Sequence, residues 1–511
     1  MGIKGNLLKL IQSMYNESNY IIKNNGEFSK QISSNMGVKQ GCNLSPLLFN
    51  IFINDIHDIF DKSCYPLAID SYNLSSISFA DDLVILSESA LGLQNSLNKL
   101  DNYCTKWGLS VNASKTKTVI FNKPFTKKIK SKTFHIGTSI IEVQNSYCYL
   151  GIDITNTGNF RKAHENLYKK AIKAQYSIFS SVNAYSDTPN IPLFLRLFDS
   201  LIKPVLLYSS EVWGVCKPLK KTKNGDFDSQ NCSSGIKILD KFVNKFYRTL
   251  LGISNTSSTV GTHIELGRLP IKLNIFKAML KYWFRLITLP KSRLVSHCYW
   301  TLVGKTNFHD EWISSIKNII QYSGFCHLWN DQESISQFNP KDIPNIITGI
   351  TKSLEDQFLQ NATAEISSQS KLNLYQKMER TFKVAPYLVT IDNRKKRSLF
   401  TKLRLGTLKL EVETGRWNKT NKNERFCKLC TGNKVETESH FLFDCPALSE
   451  VREPLLNNIF ELHPNLIFRS SEDKTIKLFF NECLDIPSLE LASTLLYNLI
   501  SHRDNLLNAA N

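Results

Sequence analysis

The chain has 511 residues, 42% of them hydrophobic, enough to bury sizeable cores and to suggest roughly three domains. Lysine and arginine number 63 against 45 acids, and the resulting net charge of +18 attracts polyanions. No stretch reaches the roughly 18 uninterrupted apolar residues of a membrane span, and no secretory leader opens the chain, so an intracellular place, cytoplasmic or nuclear, is expected.

In chain order, the first informative segment is Gly37 to Ile56, a glycine-bracketed loop that feeds a helix. Ser45 is expected as its N-cap and Pro46 as its first helical residue, where a missing N–H is harmless. Next, Ser76 to Leu86 reads as two apolar strand-like runs whose shared turn carries Asp81 and Asp82. A bland alternative is an acidic turn facing water. Side by side, however, two carboxylates can hold divalent cations, and oxygen ligands of this hardness suit magnesium. Leu93 to Trp107 is patterned as a helix, Thr118 to Phe121 as a strand, and Tyr149-Leu150-Gly151-Ile152 follows. Between them lies a lysine-rich, acid-free tract with Lys115, Lys117, Lys123, Lys127, Lys128, Lys130 and Lys132.

These segments, in this order, resemble the palm of a reverse transcriptase from a non-LTR retrotransposon of the long interspersed element type. The resemblance implies an α+β fold, a partial right-hand polymerase palm built on an antiparallel sheet with helices, followed by a helical thumb and a small zinc knuckle. It implies that Gln40, Gly41, Ser45 and Pro46 contact template and incoming nucleotide. Asp81 and Asp82 become the catalytic acid pair that holds magnesium. Lys115 falls near the incoming triphosphate, and Tyr149, Leu150 and Gly151 grip the primer end. RNA and DNA are the implied partners. Nucleotidyl transfer uses two metals roughly 4 Å apart, which carboxylates must hold. The family takes a further aspartate from a strand before the glycine loop, yet Met1 to Asn54 contains no Asp, only Glu17 and Glu27. Gly2 to Asn16 resembles the helix that follows that strand. The expectation is therefore an N-terminally truncated polymerase, inactive on its own, with a non-catalytic RNA- or DNA-binding remnant and a zinc-stabilised protein-interaction module as alternatives.

Behind residue 158 the pattern is mainly helical, over Ala163 to Ser180, Pro192 to Leu207, Ile238 to Leu251 and Pro270 to Ile287. Leu219 to Gly235 reads as an exposed loop, and Tyr282, Trp283 and Phe284 as core rather than RNA-stacking aromatics. Leu302 to Ile391 is mixed and uninformative. A second basic run, with Arg394, Lys395, Lys396 and Arg397, is expected to contact phosphate; a solvated face is the alternative. Finally, Cys427 and Cys430, then His440 and Cys445, form a C-x2-C-x9-H-x4-C array. Four such ligands close a zinc tetrahedron with no vacant position, so the zinc is expected to be structural. The other nine cysteines are scattered, as reduced thiols are. The expected segments are 1–158 (palm), 159–290 (thumb), 291–420 (connector), 421–450 (knuckle) and 451–511 (tail).

Overall fold

A computed structural model describes residues 3–509 except 17, 35–36, 183–186, 216–233, 305–310, 336, 379–380 and 481–484. The chain divides into two compact units, Met1–Tyr147 with Thr155–Thr157, and Cys148–Ile154 with Gly158–Asn511.

The first unit is organised by the helix Ala90–Trp107. Ser89 caps it, its hydroxyl accepting the Gly92 N–H at 2.9 Å, and Gly108 ends it in the left-handed region. Leu97, Leu100, Tyr103 and Cys104 recur at helical spacing and form its buried stripe. That stripe packs on a hairpin, Thr133–Ile136 with Ser139–Gln144, whose alternate residues Phe134, Ile136, Ile141 and Val143 point inward with the two-residue period of a strand. Each such side chain, fully buried, contributes about 2 kcal/mol. The short strand Thr118–Val119 lies beside Val143 and Gln144 in parallel. The expected antiparallel sheet is therefore corrected to a mixed one at this point. The remaining strand pairs, Ser76–Phe79 with Asp82–Ile85 among them, are separate two-stranded antiparallel ribbons. The helix Gly5–Tyr15 buries none of its residues.

The second unit is helical, and one continuous core runs through it from Ile152 to Leu499. Ala163 to Ser180 falls within the helix Arg161–Ser181, and Pro192 to Leu207 within a run from Ile191 to Leu206 that is widened by a π-turn at Phe198–Ile202. Trp283 and Phe284 are fully buried in the helix Ile271–Thr288, and Tyr282 packs edge-on against Trp312, 5.9 Å between ring centroids. The expected loop at Leu219 to Gly235 lies, up to residue 233, outside the described residues. The uninformative stretch contains a 26-residue helix, Ile343–Ser368. Two buried ion pairs tie distant parts of the chain together. Arg404 meets Glu265 at 2.9 Å, and Arg503 meets Glu436 at 2.7 Å.

Candidate active site and metal centre

The ribbon that carries the two acids is short and tight. Phe79 pairs with Asp82, so Ala80 and Asp81 alone make the turn, and Ala80 takes it with a φ of 52°. A side chain in that region is strained by about 1–2 kcal/mol, which a turn shaped only for stability would avoid with glycine. Asp81 and Asp82 are both exposed, and no hydrogen bond or ion pair engages either carboxylate among the described residues. The ribbon is steadied from one side by His57, whose Nδ1 lies 2.8 Å from Ser76 Oγ and Nε2 3.0 Å from Ser78 Oγ. Those serines share one face of the strand, two residues apart. Next to His57 in the chain, Asp55 accepts the Tyr103 hydroxyl at 2.6 Å, and this contact and burial both raise the Tyr103 pKa.

The glycine loop differs from expectation in one detail. The helix runs Ser45–Phe52, its cap is Leu44, and Pro46 is its second residue. Ser45 is therefore not the N-cap. Its buried hydroxyl instead donates to the Lys39 carbonyl at 2.7 Å, closing the loop on itself. Tyr15, from the first helix, lies 3.0 Å from Ser45 Oγ and 3.8 Å from Cys42 Sγ. Lys39 donates to Met14 O at 2.7 Å, locking the same helix to the loop. Gly41 has a φ of 81°, which a larger residue would resist, and Gln40 stands exposed beside it. Hydrogen bonds from the Leu44 backbone and the Tyr15 hydroxyl bring the Cys42 thiol down to about 7. Sequence reasoning passed over Cys42 and His57; the only available signal was their position inside or beside a segment already singled out.

Lys115 is exposed on a turn whose backbone N–H groups are held by Asn112. Tyr149, Leu150 and Gly151 fall in the second unit, at the tip of the hairpin Ser146–Tyr149 with Ile152–Thr155. There Leu150 and Gly151 have φ of 46° and 80°, and Tyr208 donates to the Leu150 carbonyl at 2.8 Å. A Cβ at position 151 would meet the Tyr208 ring at 3.2 Å, so glycine is required both by φ and by space. Lys127, Lys128 and Lys130 form a single exposed helical turn anchored inward by Ile129, with Lys132 exposed just after it. In the second basic run, Lys395 is exposed and Arg394 half-buried, while Lys396 donates to Thr494 Oγ1 at 2.8 Å. Arg397 must be withdrawn as a phosphate contact. It is buried, with Nη1 on Ile391 O at 3.0 Å and Nη2 on Pro189 O at 2.8 Å.

The cysteine–histidine array does converge. The Cys427, Cys430 and Cys445 sulfurs and a His440 ring nitrogen lie within 4.8 Å of one another. Cys427 Sγ to Cys445 Sγ is 3.8 Å, and Cys430 Sγ to His440 Nε2 is 3.6 Å. A disulfide needs about 2.05 Å, whereas sulfurs 2.3 Å from a central zinc stand about 3.8 Å apart. The donor set therefore fits zinc. Burial raises the Cys427 thiol, and burial with the neighbouring Cys427 pushes Cys445 up to about 12. Burial lowers His440, which leaves it neutral and able to bind metal. Phe441 and Leu442, between the last two ligands, are buried in the common core of the second unit.

Residues 1–154 match the family model described as reverse transcriptase (RNA-dependent DNA polymerase). The chain carries a reverse transcriptase domain of the non-LTR retrotransposon kind. Among its relatives is the Retrovirus-related Pol polyprotein from type-2 retrotransposable element R2DM of Drosophila melanogaster, 29% identical over 33% of this chain and 17% of the relative. A putative uncharacterized transposon-derived protein of Caenorhabditis elegans, F52C9.6, is 26% identical over 30% of this chain and 54% of its own length. The RNA-directed DNA polymerase from mobile element jockey of Drosophila funebris is 24% identical over 41% and 23%. The chain thus spans about half or less of the length of these relatives. The acid-bearing ribbon and the glycine loop both lie inside the reverse transcriptase domain; the cysteine–histidine array lies outside the matched residues. Among the described residues no helix is long and apolar enough to cross a membrane.

Proposed function

We propose that the chain binds an RNA template and a DNA primer through its reverse transcriptase domain, with Asp81 and Asp82 as magnesium ligands. On this reading Gln40, Gly41, Ser45, Pro46 and Lys115 serve template and incoming nucleotide, and Tyr149, Leu150 and Gly151 serve the primer end. The observation that carries it is the strained two-residue turn, inside the segment matched to reverse transcriptases, that presents two unpartnered acids to solvent. Magnesium bound there would activate the primer hydroxyl and steady the leaving pyrophosphate. The chain's own residues would place the reacting ends. Among the described residues no third carboxylate joins the pair, the only group of three or more metal-type ligands being the cysteine–histidine array. The proposal therefore extends to a chain that binds template and primer without extending the primer by itself. Primer extension on an RNA template, with magnesium or manganese, is the test. No incorporation is expected, and robust incorporation abolished by Asp81→Ala would overturn the inactive reading while keeping the site.

The same proposal gives Cys427, Cys430, His440 and Cys445 one structural zinc ion, and gives phosphate contact to Lys127, Lys128, Lys130, Lys132, Arg394, Lys395 and Lys396. An intracellular setting, cytoplasmic or nuclear, accompanies it.

A further inference from the structure

The largest polar groove of the second unit has no part in the proposed site. About 970 Å³ in volume, it is enclosed by the helices Ser234–Leu251, Thr259–Glu265, Ile271–Thr288 and Ile343–Ser368. Its walls are apolar and aromatic, with Phe276, Phe358, Leu273 and Leu354, and its rim carries Lys237 and Lys241, both exposed.

Two acceptors face this space, and their identity follows from proton counting. Gln357 donates through Nε2 to the Tyr322 carbonyl at 2.8 Å, which fixes the amide orientation and leaves Oε1, a buried atom, with no partner among the described residues. A buried acceptor so left requires a donor from elsewhere. Asn244 is settled through His263. The His263 Nδ1 lies 2.8 Å from the Arg268 carbonyl, so that nitrogen carries the proton. Burial holds His263 at about 4, so it is neutral and Nε2 is an acceptor. The Asn244 atom 2.8 Å from Nε2 must then be the amide nitrogen, and Asn244 Oδ1 is turned to the groove it lines. Asp240 and Glu365 also line the groove. Burial opposes their ionisation, raising Asp240 to about 6 against the pull of Lys272, so the lysines dominate the local charge.

We propose that this groove binds a nucleoside phosphate, its base among Phe276 and Phe358 with an exocyclic amine on Gln357 Oε1 and Asn244 Oδ1, and its phosphate on Lys237 and Lys241. An aromatic wall takes any base face, the two acceptors select bases that bear an amine, and the rim lysines supply the charge. The same chemistry is met in a free nucleotide and in one residue of an RNA strand.

Calorimetric titration of the full chain, zinc retained and magnesium omitted, with AMP, CMP, UMP and inorganic phosphate reads the proposal directly. One saturable site is expected, with AMP and CMP roughly tenfold tighter than UMP and phosphate alone weaker still. Lys237→Gln with Lys241→Gln should weaken AMP by roughly tenfold, and Gln357→Leu should erase the preference of CMP over UMP, each variant first checked for native circular dichroism. Replacing Lys127, Lys128, Lys130 and Lys132 should leave these titrations unchanged. No saturable binding by any nucleotide, phosphate matching AMP, or lysine variants binding as the parent chain would overturn the proposal. A 5′-phosphorylated triadenylate binding more tightly than AMP would name RNA as the source of the ligand, and AMP binding as tightly or better would name the free nucleotide; either keeps the site.

Discussion

Arg397 and Arg404 sit seven residues apart on the helix Arg394–Arg404, which puts both on its buried face, while Lys395 points to solvent. Arg404 is enclosed with Glu265, its guanidinium also donating to the Phe479 carbonyl at 3.0 Å and lying 5.1 Å from the Tyr387 ring centroid. Arg404→Leu strands the Glu265 charge and should destabilise the protein by about 3–5 kcal/mol in denaturant titrations, whereas Lys395→Gln should change stability by no more than about 0.5 kcal/mol. The basic run was legible as charge, but charge alone does not say which residues face inward; the alternation with Phe400, Thr401 and Leu403 does. Glu413 offers a pH test. Burial raises its carboxyl to about 7, against 4.5 in the open chain, with Arg416 at 3.3 Å opposing the rise. Above pH 4.5 the unfolded chain has lost this proton and the folded one keeps it until about 7. Stability contributed by the neutral acid is therefore full below pH 4.5 and falls as pH rises through that window, by roughly 3 kcal/mol. Denaturation curves between pH 5 and 8 should show Glu413→Gln gaining on the parent chain with rising pH; parallel curves would refute the assignment.

At the scale of elements, the acid-bearing ribbon was legible because apolar residues alternate on both sides of Asp81-Asp82, and the helix Ala90–Trp107 because its stripe is unbroken. The cap at Ser45 was misread for a physical reason. A serine before a helix can accept from the helix or donate to its own loop, and only the fold of Lys39 to Cys42 decides which. The helix Ile343–Ser368 escaped because Thr, Ser, Gln and Asn occupy its exposed turns and dilute the period of Ile347, Ile350, Leu354, Ala362 and Ile366. The zinc array was the plainest element, since ligand spacing is written directly in the chain. Metal analysis should find one zinc per molecule, lost in Cys430→Ser. The thiols, raised by burial, must shed protons to bind it, so apparent zinc affinity should climb as pH rises from 6 to 9. A protein purified without zinc, or affinity flat in pH, would count against the site.

For the whole molecule, the excess of 18 positive charges predicts RNA binding that is mainly electrostatic. Between about 50 and 200 mM salt, affinity should fall by roughly two to four orders of magnitude with little dependence on base sequence. Anisotropy titrations should give a flatter salt slope when Lys127, Lys128, Lys130 and Lys132 are all changed to Gln, and Asp81→Ala should leave the slope where it was. A slope unmoved by the lysine changes would place the contacts elsewhere. The first unit was legible as motifs in order; what the sequence did not convey was that everything from Gly158 onward closes on one core. Cys445, Leu448, Phe479 and Leu499 belong to the same buried cluster as Leu167 and Phe194. A zinc site seated in that wall behaves as a clasp rather than an appendage. Versions of the protein shortened to stop before Cys427 would expose the inner faces of the helices near residues 160–410 to water and collect as aggregate, so that damage to the last sixth of the gene would silence the domain at its opposite end.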